Sequence, residues 1–158
     1  MTRRSNTKGQ NDTPGGFAGI PRIVMEHSDY IGLSFPAKAL LIELAYQYRG
    51  HNNGDLTVGF AVMKGRGWKR DATVQKMIAE LIRANLIVRT RESRFTNPGA
   101  RCALYALTWQ AVDECKGKDL EIPPSITPLR KFSLENKKIN KAPTTPNVHG
   151  GYTKRNHE

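Results

Sequence analysis

Apolar residues recur at helical spacing in two segments of the chain. The first runs from near Pro36 to the turn-forming residues 49–55, and Ser34 is placed to cap it. The second runs from about Arg70 to Asn85, a residue type that readily adopts the left-handed conformation that ends a helix. Its apolar stripe consists of Val74, Met77, Ile78, Leu81 and Ile82. Two helices are therefore predicted.

Shorter apolar segments surround these two helices. Residues 56–58 predict a short strand, and residues 60–64 predict a short helix that two glycines terminate. Residues 86–94 and 102–109 predict two further strands, the first with arginines alternating to the outside. Residues 20–25 are predicted to form an arm over the core. After the arm the order is helix, strand, helix, turn, helix, strand, loop, strand, which indicates an α+β fold.

One domain is predicted, at residues 17–122. A chain of 158 residues leaves room for one domain with extensions. Residues 1–16 are rich in polar residues, Gly and Pro, and are predicted to be a disordered N-terminal tail. Pro123 and Pro124 mark the end of the domain. Residues 123–158 lack an apolar period and are predicted to be a flexible basic C-terminal tail.

Positive charge is concentrated in one part of the predicted domain. The net charge of the chain is +11. Residues 64–101 contribute ten basic side chains against three acidic ones, an excess of seven, and residues 126–158 contribute a further excess of five. Residues 16–63 and 102–125 are slightly acidic. Charge confined in this way predicts a polyanionic partner, of which nucleic acid is the commonest.

The cysteine content and the lengths of the apolar runs indicate the cellular compartment. Cys102 and Cys115 are too few for a disulfide scaffold and form no CxxC pair, which is typical of reduced thiols in a cytosolic protein. No apolar run approaches the length of a transmembrane helix, and the basic N-terminus is not followed by the apolar segment of a secretory signal. A cytoplasmic protein without a membrane span is predicted.

Two stretches resemble a known family. GWKRDATVQKMIAELIRANLIVRT, residues 67–90, is similar to the recognition segment of bacterial winged helix proteins. SFPAKALLIELAYQYRGHNNGDLTV, residues 34–58, resembles the first helix and strand of small helix-turn-helix proteins from phages, plasmids and other mobile elements. The resemblance covers roughly residues 17–112 and implies a winged helix-turn-helix, with three helices and a small antiparallel β-wing. One departure is the sequence at 69–71, Lys-Arg-Asp, where the family often has a Ser or Thr cap.

The second predicted helix presents a polar face suited to B-DNA. One α-helix fits the major groove, where residues of its N-terminal half reach base edges. Arg70 is suited to guanine, Gln75 to adenine, and Thr73 to a thymine methyl group or a phosphate. The small residues Ala72 and Ala79 allow a close approach to the groove.

The other basic residues of this region are suited to phosphates, which add affinity without sequence information. On the helix these are Lys69, Lys76 and Arg83. Around the wing, arginines are predicted to enter a minor groove or clamp the DNA backbone, and these are Arg89, Arg91, Arg94 and Arg101. The predicted function is double-stranded DNA binding, by a transcriptional regulator or replication-associated factor of a phage, plasmid or other mobile element. Such proteins commonly bind palindromes as homodimers.

No catalytic, cofactor or metal site is predicted. The glycines of GFAVMKGRG, residues 59–67, lack the GxxxxGK[ST] pattern of a phosphate-binding loop. The four histidines are scattered, without partners at metal-ligand spacing. Acidic residues such as Asp29 and Glu43 are accompanied by no nucleophile and no paired acid. A protein that is not an enzyme and needs no cofactor is predicted.

The basic helix face has a second interpretation, because exposed helix faces are usually charged for solubility alone. The alternative function is a winged helix protein-interaction module that inhibits or modulates a host nucleic-acid-processing complex. Its basic face would then contact an acidic surface of a host protein, or the arm at residues 17–33 would form the contact. The basic C-terminal tail adds either non-specific affinity for phosphate or only solubility.

Overall fold

The computed structural model describes residues 15–96 and 98–133 and has an α+β architecture. These residues contain five helices and one two-stranded antiparallel sheet. In chain order the elements are α1 (Arg22–Met25), α2 (Ser28–Ile31), α3 (Phe35–Gln47), α4 (Phe60–Gly65), α5 (Asp71–Arg83), β1 (Ile87–Arg91) and β2 (Leu104–Leu107). Residues 1–14 and 134–158, the larger part of the two predicted tails, lie outside the described residues.

The helix α3 begins where the sequence predicts. Ser34 has an extended backbone, and its Oγ accepts a hydrogen bond from the Ala37 N–H at 3.4 Å, so the predicted cap is confirmed. Pro36 lies in the first turn. The Glu80 carboxylate of α5 accepts hydrogen bonds from the Ser34 N–H at 2.6 Å and from its hydroxyl at 2.8 Å. The start of α3 is thus tied to the last turn of α5.

The helix α5 packs its predicted apolar stripe into the core, with one exception. Four of the five predicted residues are buried, but Ile82 keeps 37% of its surface exposed. It lies about 100° around the helix from the fully buried Leu81, outside the arc that the core covers. The predicted start at Arg70 is the N-cap position, where no side chain caps the helix. Asn85 has a φ of 52°, which confirms the predicted left-handed helix end.

The two strands are shorter than predicted. Together with their connection they form a hairpin, residues 87–107, in which the register shifts between Arg89 and Arg91 at a bulge. All four residues of β2 are buried, so the strand has no exposed face to alternate with a buried one. The strand predicted at residues 56–58 contributes a single bridge, to Tyr105 of β2.

The core lies between α3, α5 and the hairpin. Its largest fully buried side chains from these three elements are Leu40, Leu41, Leu44, Ile78, Leu81, Ile87, Tyr105 and Leu107. Asn53 is buried beside them: its Nδ2 donates to the carbonyl oxygens of Leu107 at 3.0 Å and Ala111 at 2.9 Å. Its Oδ1 accepts the Leu107 N–H at 2.7 Å. In the sequence Asn53 has the character of an ordinary turn residue, but in the structure it joins the turn after α3 to the end of β2.

Residues 20–33 and 123–133, on either side of the core elements, pack against the domain. Residues 20–25, predicted as an arm over the core, contain α1, and α2 follows them. The structure differs from the prediction at the start of the C-terminal tail, because Arg130 holds residues 123–133 on the domain. Its guanidinium donates to the carbonyl oxygens of Ala84 at 2.9 Å and Asn85 at 3.0 Å, and it also pairs with Asp29. A cation is favoured at this position, where α5 ends and its last carbonyl groups need partners.

Candidate nucleic-acid interface

The outer face of α5 lies opposite the stripe that packs into the core. Lys76 and Arg83 stand on this face together with Ala72 and Ala79, and all four residues are exposed. Residues three and four apart share one side of a helix, so these four form a continuous row. Two small side chains therefore alternate with two long cationic ones.

The other predicted residues of α5 lie at its N-terminal end and on its flanks. Lys69 and Arg70 precede the first turn, Thr73 lies within it, and all three are exposed. Gln75 is exposed as well, and its Nε2 donates to Asp71 Oδ1 at 3.3 Å.

Four cations in and just before α5 have no ion-pair partner among the described residues, namely Lys69, Arg70, Lys76 and Arg83. The nearest carboxylate with a perturbed pKa is Glu80. Its pKa is lowered, chiefly by the hydrogen bond from the Ser34 backbone and to a smaller extent by the charges of Arg83 and Lys76. Glu80 accepts its hydrogen bonds from Ser34 and forms no ion pair with Lys76 or Arg83.

Two arginines predicted for the wing are engaged inside the protein. Arg91 donates from Nε and Nη2 to the Cys102 carbonyl oxygen, at 3.1 and 2.7 Å. Arg101 keeps only 20% of its side chain exposed and faces the carboxylates of Asp119 at 3.7 Å and Glu121 at 3.5 Å. These contacts brace the hairpin against itself and against the segment that follows it.

Arg89 is also engaged, whereas Arg94 is not. The Arg89 guanidinium donates to both Glu92 oxygens at 3.0 Å, a bond that raises the pKa of Arg89, and lies 5.8 Å from the centre of the Tyr105 ring. Arg94 is exposed and has no ion pair among the residues described. For Arg101 alone, a sequence signal for the internal pairing exists in the acidic excess of residues 102–125, which include Asp119 and Glu121.

A cleft of about 630 Å³ separates the start of α5 from the hairpin. Its walls come from residues 58–60, the first two turns of α5 and the hairpin. Phe95 of the hairpin lines it and is 90% exposed, and Phe60 lines it and is half-buried. Sequence reasoning missed this cleft, because it depends on how the hairpin folds across α5 and no local pattern encodes that.

Other kinds of site are not found in residues 15–96 and 98–133. No group of three or more His, Cys, Asp or Glu side chains there is arranged to hold a metal ion. None of the helices in this part of the chain combines the length and the apolar character that crossing a bilayer requires. Cys102 and Cys115 are free thiols, the first exposed and the second half-buried.

Comparison with known proteins gives no match. Neither a protein-family model, nor a curated protein, nor a solved structure is significantly similar to this chain. The arrangement of α5, the hairpin and the cleft is therefore the basis on which a function can be proposed.

Proposed function

We propose that the protein binds double-stranded DNA through α5 and the hairpin, as a winged helix-turn-helix. In this arrangement α3, α4 and α5 are the three helices, α4 and α5 form the helix-turn-helix pair, and the hairpin is the wing. The bridge between Leu56 and Tyr105 corresponds to the strand that follows the first helix. The element order and the packing of α3 on α5 support this assignment.

The outer face of α5 is the observation that carries the proposal. A helix in the major groove must approach the base edges closely while cations beside it meet the phosphates. Ala72 and Ala79 leave room for this approach, and Lys76 and Arg83 are free of internal ion-pair partners among the described residues. Charge placed on a helix for solubility alone does not require small residues in the same row.

The predicted residues divide into three groups. For base contacts we assign Arg70 to guanine and Gln75 to adenine, with Thr73 at a thymine methyl group or a phosphate. For phosphate contacts we assign the cations without ion pairs in the described part of the chain, namely Lys69, Lys76, Arg83 and Arg94. The internally bonded arginines shape the wing before any DNA contact, and these are Arg89, Arg91 and Arg101.

A regulator or replication-associated factor of a mobile element is the biological role we propose. It rests on the resemblance of residues 34–58 to the first helix and strand of small helix-turn-helix proteins from phages, plasmids and other mobile elements. The natural target is then a site in the DNA of the element that encodes the protein.

Selection of bound oligonucleotides from a random duplex pool, at about 0.15 M salt, tests sequence-specific binding. The expected result is one enriched sequence. Replacing Arg70 and Gln75 with Ala should abolish its advantage over random duplex, since a good base contact contributes about 1–3 kcal/mol of discrimination, while salt-sensitive binding remains. Absence of enrichment contradicts a specific regulator. If the double variant still retains one host protein after nuclease treatment, the alternative interaction module replaces this proposal.

The phosphate contacts have their own test. Removing one phosphate contact should reduce the slope of log K against log salt by about 0.9, so Lys76→Ala combined with Arg83→Ala should reduce it by about 2. Lys116→Ala is a matched control, because Lys116 is an exposed lysine in the segment after β2. An equal change of slope for this control would contradict a specific role of the outer face of α5.

A further inference from the structure

The cleft between α5 and the hairpin carries an unusual combination of side chains. Phe95 exposes 90% of its surface at the hairpin loop, although covering an aromatic ring of this size is strongly favourable. Phe60 lines the same cleft and is half-buried. Two aromatic rings in one open cleft provide flat apolar surfaces against which a planar ligand can stack.

The charge in the cleft suits a single anionic group. Three arginines line it, but Arg89 is bonded to Glu92 and Arg101 faces acidic residues outside the cleft. Arg94 is the lining arginine whose side chain has no ion pair in the described part of the chain. One available guanidinium matches one phosphate, by charge and by its fork of N–H donors.

The α5 wall of the cleft supplies hydrogen-bonding groups that match a base edge. Asp71 and Gln75 both line it, and they are hydrogen-bonded to each other at 3.3 Å. The Asp71 carboxylate can accept a hydrogen bond from the amino group of a base, and the Gln75 Nε2 donates to that carboxylate from one turn further along α5. In a duplex the Watson–Crick edge of each base is occupied by its partner, so only an unpaired base presents that edge.

We propose that this cleft binds one unpaired nucleotide of a DNA strand. The base stacks on Phe95 and Phe60 with its edge towards the Asp71 carboxylate, and its phosphate pairs with Arg94. This inference rests on the proposed function, since α5 and the hairpin must first engage DNA. With this cleft the protein recognises the junction where a duplex opens into a single strand.

Affinity for two DNA molecules tests the proposal with the full chain. Fluorescence anisotropy compares a blunt duplex with the same duplex carrying a short single-stranded extension, of either polarity. Base–aromatic stacking of the usual strength predicts tighter binding of one extended duplex by about fivefold to a hundredfold. Phe95→Ala should remove this advantage and leave the blunt-duplex affinity unchanged, whereas Phe95→Trp should keep it. Phe17→Ala is the matched control, because Phe17 is 79% exposed and does not line the cleft.

Alkylation of the two thiols gives a second readout that does not depend on affinity. Cys102 is exposed and lines the cleft, so a bound nucleotide should protect it from iodoacetamide. Burial raises the pKa of the Cys115 thiol, which makes it the slower-reacting internal reference. The extended duplex should protect Cys102 more than the blunt duplex does, and Phe95→Ala should abolish the difference.

The outcomes separate the two proposals. Equal affinity for both duplexes, with Phe95→Ala silent, overturns the cleft proposal and leaves duplex binding intact. Binding of free deoxynucleoside monophosphates with no gain from an extension also overturns it, because the ligand is then not part of a strand. Failure to bind any DNA overturns the cleft proposal together with the proposed function.

Discussion

The helices α3 and α5 are both 13 residues long and pack against each other, yet their outer faces differ in chemistry. The outer face of α5 carries Lys76 and Arg83 alongside small alanines. The outer face of α3 carries Phe35, Ile42 and Tyr46, which are 86, 54 and 43% exposed. Packing therefore determines the inner face of each helix and leaves the outer face to other demands.

The contrast has a physical basis. A residue that folding removes from water must be apolar or fully hydrogen-bonded, so both inner faces are apolar. A residue that stays in water contributes little to the core. Its type is determined by the partner that the folded protein binds at that position. On α5 we propose DNA. On α3 part of the apolar row is already covered, because the Arg66 guanidinium lies 4.5 Å from the centre of the Tyr46 ring.

The largest expected effect on stability comes from replacing a buried residue on the inner face of either helix. Leu81→Ala should lower the free energy of unfolding by about 2–5 kcal/mol, because Leu81 is fully buried, and Leu41→Ala should do the same in α3. Ile82 and Ile42 are the exposed neighbours of these two residues. Ile82→Ala and Ile42→Ala should each lower the free energy of unfolding by well under half as much. Urea denaturation measures all four variants. A similar loss of stability for Leu81→Ala and Ile82→Ala, or for Leu41→Ala and Ile42→Ala, would contradict the division of that helix into an inner and an outer face.

The end of α5 gives the next effect. Arg130→Ala removes a charged group that donates to the carbonyl oxygens of Ala84 and Asn85, and should destabilise the protein by about 1.5–3 kcal/mol. Lys131→Ala, at the exposed neighbouring residue, should change stability by less than about 0.5 kcal/mol. Equal thermal unfolding of the two variants would mean that residues 123–133 add nothing to α5.

The bond that joins the two helices should depend on pH. The pKa of Glu80 is lowered from its ordinary value of 4.5, chiefly by the Ser34 backbone hydrogen bond, so its contribution is complete above that value and is lost as the pH falls. Glu80→Gln should cost about 1 kcal/mol at neutral pH, the usual net value of a hydrogen bond, and weaken the loss of stability in acid. Glu114→Gln, at an exposed position, is the control. Denaturant titrations at pH 7 and pH 3 measure how far the free energy of unfolding falls in acid. An equal fall for Glu80→Gln and for the wild type would contradict this role.

The smallest expected effect on stability comes from substitutions on the two outer faces, which compare α5 with α3 directly. Lys76→Ala and Phe35→Ala, one on each outer face, should both change the free energy of unfolding by less than about 0.5 kcal/mol. Only Lys76→Ala should weaken duplex binding, by one phosphate contact. Equal weakening by both variants, measured by anisotropy at fixed salt, would remove the distinction between the two faces.

Local features of the fold were predictable, and distant contacts were not. The Ser34 cap, the helix end at Asn85 and four residues of the α5 stripe each depend on a few neighbouring residues, so pattern and residue type were enough. The stripe failed at Ile82 because the width of the covered arc depends on the packing partner. The bond from Glu80 to Ser34 joins residues 46 positions apart, and no periodicity encodes it.

The candidate site divides in the same way. That Lys76 and Arg83 are exposed follows from the helical period once the stripe of α5 is known. The pairing of Arg101 with Glu121 required the fold of the chain after β2, so the sequence could not show it. The cleft required the hairpin to fold across α5.

The sequence by itself determined that α5 is an amphipathic helix with a cationic outer face, because a 3.6-residue period acts within one segment. The tertiary structure alone decided which cations remain available, where Arg130 binds and what lines the cleft. Those properties depend on distances between segments far apart in the chain, and such distances exist only after the core has formed.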